Sequence, residues 1–163
     1  TFGPYTTYAT RGFQSTVNFD GTGLGNYVVQ GMADNRILES WDGGISWTQD
    51  SRPGGGQNGD YVDIIPANNG QPPLVLTACG GGFGGTNDLA DASHWGKKLS
   101  SPASPSDSWV SLETGTSGLP NANSRTYGSS YDPFDPKHVI LATQNGLYET
   151  TDIYARYNGT GGT

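Results

Sequence analysis

The chain has 163 residues with 26 Gly and 10 Pro, only 14% charged positions, and 11% aromatics. Such a mix is too aromatic and too weakly charged for a disordered chain, and too rich in helix breakers for a helical bundle. The net charge of −7 and the scattered Lys and Arg argue against nucleic-acid or anionic-membrane partners. An all-β fold with many tight turns fits this composition, and the length suits one domain with a real core.

In chain order, the first predicted strands are Thr16–Phe19, Tyr27–Gly31, Arg36–Glu39 and Ser46–Gln49. A second group follows: Tyr61–Ile65, a turn-rich connection over Pro66–Pro73, then Leu74–Cys79. After the glycine-rich Gly80–Gly85 loop, Asn87 is placed to cap one helical turn over Asp88–Ser93. Strands at His94–Leu99 and Ser108–Leu112 complete this group. The third group starts with Thr126–Tyr131, turns over Asp132–Lys137 and continues as His138–Thr143. Asn145-Gly146 signals a tight hairpin leading to Leu147–Thr150, and Ile153–Tyr157 is available as a fourth strand. The pattern predicts three four-stranded units, roughly residues 8–50, 59–113 and 123–158 of a single segment 1–163. Four strands per repeat of this size is the pattern of propeller blades.

One motif is sharp. Ser40-Trp41-Asp42-Gly43-Gly44-Ile45-Ser46-Trp47 fits Ser/Thr-x-Asp-x-Gly-x-x-Trp at every fixed position. In such a turn the Asp carboxylate accepts from nearby backbone N–H groups, Gly44 supplies a positive φ, and Trp47 folds over the hairpin. Thr150–Tyr157 reads as a decayed copy with Tyr154 at the glycine position, and Ser106-Asp107-Ser108-Trp109 as a shortened relic.

On this motif the sequence resembles the Asp-box (BNR-type) β-propellers, a set that includes sialidases, sortilin-type receptors and xyloglucanase-type glycoside hydrolases. The stretches Tyr131–Pro136, Asn145–Asp152 and Ser117-Gly118-Leu119-Pro120 look most like the last group. The resemblance implies an extracellular, carbohydrate-active propeller in which Ser40, Asp42, Gly44 and Trp47 are structural. It implies an acid within a Gly-Asp-x-Gly-Gly-Phe stretch after a blade's second strand. The matching Ala78-Cys79-Gly80-Gly81-Gly82-Phe83 carries Cys79 at that place. The alternative is a non-catalytic propeller that builds a surface assembly or filament, or binds glycan or protein partners.

Glycoside hydrolysis needs two facing carboxyl groups. Asp60, which opens the innermost strand of the middle unit, is the best single catalytic candidate, although a solvated strand-start residue is an equally simple reading. Asp20, Asp63, Asp88, Asp91, Asp132 and Asp135 also lie in or beside predicted loops, and the last two read as turn residues before proline. Trp41, Tyr61, Phe83 and Trp95 are candidates for stacking on glucose units, and each is equally an ordinary packing aromatic. Trp41 is expected to be exposed. His94 and His138 stand alone, the single Cys79 reads as a small hydrophobe, and no motif points to a metal or cofactor. Asn158-Gly159-Thr160 forms a glycosylation sequon. Three blades do not close a ring, so the partners expected are further blades, from other copies or further sequence, together with polysaccharide.

Overall fold

The computed structural model describes residues 15–17, 27–32, 36–50, 61–79, 93–112, 126–143 and 146–160. They form three antiparallel meanders. The first sheet runs β1 (Ser15–Val17), β2 (Val28–Met32), β3 (Arg36–Ser40) and β4 (Thr48–Gln49) in sequence order. The second runs β5 (Tyr61–Ile65), β6 (Leu74–Cys79), β7 (Ser93–Lys98) and β8 (Trp109–Ser111). The third holds β9 (Thr126–Asp132), β10 (Asp135–Thr143) and β11 (Gly146–Thr150). Strand β5 touches β1 and β2 on one side and β9 on the other, which puts β1, β5 and β9 at the inner edge of their sheets.

The period-2 pattern of the middle strands explains why this sheet is covered on both faces. Val62, Ile64, Val75, Trp95 and Trp109 pack with Tyr27, Val29 and Ile37 of the first sheet. The alternate residues Tyr61, Ile65, Leu74, Leu76 and Ala78 pack with Val139 and Leu141 of the third. Each such fully buried side chain contributes about 1.5–3 kcal/mol of transfer free energy.

The β5–β6 connection closes through a tight turn. Asn68 and Gln71 exchange both backbone hydrogen bonds, at 3.1 and 2.8 Å. Asn69 and Gly70 both have positive φ (48° and 79°), which is the Asn-Gly hairpin geometry.

Three expectations need correction. Ile153–Tyr157 is not a fourth strand but a short helix, α1, capped by Asp152. The turn after β9 is shorter than Asp132–Lys137, because Asp135 already pairs with Asp132. Pro136 offers no N–H to the ladder, and residues 136–138 bulge out before pairing resumes at Val139↔Tyr131. Gly146 belongs to β11, paired with Thr143, whereas Asn145 falls outside the described residues. So do the Gly80–Gly85 loop and the turn expected from Asn87.

Neighbouring sheets leave a wide outer gap, and the two gaps are filled differently. Successive residues Lys97 and Lys98 point to opposite faces of β7. Lys97 is buried between the first and second sheets, where its Nζ donates to Glu39 Oε1 at 2.6 Å and lies 4.8 Å from the Trp109 ring centre. Tyr27 Oη donates to the same Glu39 oxygen at 2.6 Å. Lys98 faces the other gap, 4.7 Å from the Tyr157 ring and 5.7 Å from Tyr154, where α1 serves as the filler. Gly96 makes that docking possible: a Cβ there would meet Tyr157 Cδ2 at 2.9 Å.

Among the described residues nothing covers the far face of the third sheet. Ile140 and Leu147 are 40% and 76% exposed, on the side of the sheet away from Val139 and Leu141.

Candidate functional site

The meander topology divides the loops between two ends of the sheets. Tyr61 pairs with Ala78, so the connections 50–60 and 80–92 leave from one end. This is the end to which the sequence assigns Asp60, Cys79 and Phe83. Asp60 and Phe83 lie outside the described residues, as do Asp20, Asp88 and Asp91, and only the backbone of Cys79 is described, paired with Ser93.

A carboxylate of note on the inner strands is Asp63, which the sequence reading grouped with the loop aspartates and which instead sits in the middle of β5. Its Oδ2 accepts from Ser129 Oγ of β9 at 3.0 Å, and its Oδ1 accepts from the Ile64 N–H at 2.8 Å. Burial pushes its carboxyl above the usual range, and the two hydrogen bonds only partly offset this. The apolar alternation around it (Tyr61, Ile65) is the signal that could have found it, because an acid on that face must enter the gap between sheets.

Of the four aromatics proposed to stack on sugar, Phe83 lies outside the described residues and the other three are taken up by packing. Tyr61 and Trp95 are buried, at 4% and 8% exposure. Trp41 continues the inward alternation of Ile37 and Glu39, and packs half-buried against Tyr27 with ring centres 6.1 Å apart. Its expected exposure is therefore corrected: the motif leaves the position free, but the strand period turns it inward. Burial likewise holds the Tyr61 hydroxyl well above its ordinary pKa, with the Asp63 charge adding to the effect. His94 is buried on β7, and His138 Nε2 lies 3.6 Å from Glu149 Oε2.

The opposite end carries three aspartate-centred loops, one after the third strand of each sheet. In the first, Asp42 Oδ1 accepts from the Ile45 and Ser46 N–H groups at 3.0 and 2.9 Å, and Ser46 Oγ donates to Oδ2 at 2.5 Å. Ser40 Oγ donates to Asp42 and accepts from the Gly44 N–H at 2.8 Å. Gly43 and Gly44 have φ of 77° and 90°, and Trp47 Nε1 donates to the Gly44 carbonyl at 3.0 Å. The hydrogen bonds, led by that from Ser46, hold the Asp42 carboxyl down at about 2. In the second loop Asp107 Oδ2 accepts from Ser100 N, Ser100 Oγ and Ser104 N at 2.9–3.1 Å, stapling the β7–β8 connection. In the third, Asp152 Oδ1 accepts from Ala155 N at 2.9 Å.

Between the second and third sheets, at this same end, lies a cleft of about 380 Å³. The β5–β6 turn forms one wall with Asn68, Asn69 and Gln71, and α1 forms the other with Asp152, Tyr154 and Asn158. Lys137, re-aimed by the β10 bulge, lines it as well. The helix wall is tied down. Tyr154 Oη donates to the Pro72 carbonyl at 3.0 Å, Lys98 Nζ donates to Asn158 Oδ1 at 3.0 Å, and Thr160 Oγ1 donates to the Ala155 carbonyl at 3.1 Å. Burial raises the Tyr154 hydroxyl to about 12, with the Asp152 charge contributing. Asn158 is exposed, as a glycan acceptor must be. Among the described residues no group of three or more His, Cys, Asp or Glu could hold a metal ion, and no helix is long and apolar enough to cross a membrane.

Consecutive antiparallel meanders, stacked face to face with their first strands innermost, are blades of a β-propeller, and the ring is incomplete within this chain. The chain is similar to the crystal structure of an ancestral GH74 enzyme, with 35% sequence identity and a TM-score of 0.62. The match covers 87% of this chain and 18% of that one, so this chain spans about a fifth of the enzyme's length. No protein-family model matches the chain, and no curated protein does. The likeness makes this a glycoside-hydrolase-like propeller segment.

Proposed function

We propose that the chain supplies consecutive blades of an extracellular propeller that cleaves a β-glucan such as xyloglucan within the polymer. The observation that carries this reading is the 35% identity to a GH74 enzyme across 87% of the chain. The 40–47 loop acts in it as an Asp box, a structural clasp without substrate contact. Cleavage would take place between two carboxyl groups about 5–5.5 Å apart for retention or about 6.5–9.5 Å apart for inversion. At most one of them belongs to this chain: Asp60, which directly precedes β5 in the sequence. The other comes from a further blade. Phe83, in the glycine-rich stretch of sequence between β6 and β7, is the ring in this chain proposed to stack on the sugar.

A second reading has its own observation. The stretch in which the resembled hydrolases carry an acid has Cys79 instead, which favours a propeller that binds glycan or assembles without cleaving. Incubating the intact protein with soluble xyloglucan separates the two. The first reading predicts new reducing ends, reduced by at least about 100-fold on Asp60→Asn, the usual scale for loss of a positioned acid or base. Bound polymer without new reducing ends favours the second.

A further inference from the structure

We infer that the cleft between the β5–β6 turn and α1 is a binding site for a neutral saccharide. The inference rests on the carbohydrate-active reading above and gives it a second point of contact. The cleft is built by two adjacent blades that are both in this chain, so its walls do not wait on a missing neighbour. Its volume of about 380 Å³ lies within the ~300–1,000 Å³ usual for small-ligand sites.

The two walls differ in a way that suits a ligand. On the helix side, Asp152, Tyr154, Asn158 and Thr160 already have hydrogen-bond partners and hold their positions. On the turn side, among the described residues, the side chains of Asn68, Asn69 and Gln71 make no hydrogen bond and Lys137 makes neither a hydrogen bond nor an ion pair. Three amides and an ammonium therefore face a preformed wall with their capacity unspent. An amide offers a donor and an acceptor side by side, the match for neighbouring hydroxyls that each donate and accept.

The charge pattern excludes other ligand classes. One ammonium in a cleft that Asp152 also lines, on a chain of net charge −7, makes a poor trap for a polyanion. The lining is mostly polar, with apolar surface only from Tyr154 and Ala155, which leaves an apolar ligand little to bury against. The cleft also opens at the end of the blades opposite to connections 50–60 and 80–92, so its occupation leaves that end clear.

The test compares the intact protein with its Gln71→Ala/Lys137→Ala variant, both positions chosen because neither side chain holds another element in place. Affinity electrophoresis and titration calorimetry with xyloglucan and with cellotetraose report binding, and reducing-end release at saturating xyloglucan reports turnover. The inference predicts affinity about tenfold weaker in the variant, the scale of losing one to two net hydrogen bonds. Turnover at saturation and melting temperature stay unchanged. Affinity in the variant equal to wild type overturns the cleft assignment and leaves the proposed function standing. Wild-type protein that neither binds nor cleaves either glucan overturns the proposed function and the saccharide assignment with it.

Discussion

Segments 40–47 and 150–157 begin alike and end differently. In both, a hydroxyl accepts from the backbone of an aspartate two residues on: Asp42 N to Ser40 Oγ at 3.4 Å, Asp152 N to Thr150 Oγ1 at 3.3 Å. In both, that aspartate accepts from the N–H three residues further, Ile45 at 3.0 Å and Ala155 at 2.9 Å. The paths part at the fifth position. Gly44 takes a φ of 90° and the chain folds back under Trp47 into β4. Tyr154 carries a Cβ that resists that conformation, so the chain winds on as α1 and the same aspartate becomes a helix cap. One glycine therefore decides between a clasp that returns the strand and a helix that fills the gap between blades.

The largest effect is expected where the tyrosine has become core. Tyr154→Ala removes a ring that is 4% exposed and should destabilise by about 3–5 kcal/mol in chemical denaturation. Tyr154→Phe keeps the ring and loses only the hydroxyl, shared between the Pro72 and Pro66 carbonyls at 3.0 and 3.4 Å, about 0.5–1.5 kcal/mol. Equal losses in the two variants would break the comparison. Next, Gly44→Ala forces a left-handed alanine against the Trp47 ring 3.4 Å away, at a cost of about 1–2 kcal/mol. A neutral Gly44→Ala would mean that glycine is not what turns the first segment. Asp152→Ala removes the cap and should cost about 1 kcal/mol, read as fraying of α1 by amide exchange.

Acid sharpens the contrast further. The Asp42 carboxyl is depressed from its ordinary 3.8 to about 2, so its contribution is complete above about pH 4 and is lost as pH falls toward 2. Melting temperatures of wild type and Asp42→Asn should therefore differ at pH 6 and converge near pH 2. Asp63 runs the other way, with a raised pKa that makes its charged form unfavourable in the fold. Asp63→Asn should raise the melting temperature slightly at pH 7, and the gain should fade as acid protonates the wild-type carboxyl.

Much of the fold was legible in local pattern. Tyr61–Ile65 and Leu74–Cys79 carry strand periodicity bounded by turn residues, and the structure has strands over those residues. Ile153–Tyr157 misled because five residues with alternating size fit a strand as well as a helix. The deciding signal was Asp152 followed by no glycine at 154. What sequence could not reach is contact between distant segments. Nothing local says that Glu39 will meet Lys97, or that the Asn69-Gly70 turn will form a cleft with a helix more than eighty residues later. The burial of Tyr61 and Trp95 was hidden for the same reason: whether Trp95 meets sugar or core depends on what packs above the sheet.

The central claim is that these sheets are neighbouring blades whose outer flank is closed by another blade. Electron cryomicroscopy of the intact protein tests it most directly. The account predicts β1, β5 and β9 around one axis, with a further sheet covering Ile140 and Leu147. A fully assembled molecule in which those two side chains face solvent, or in which the three sheets do not share an axis, would contradict it.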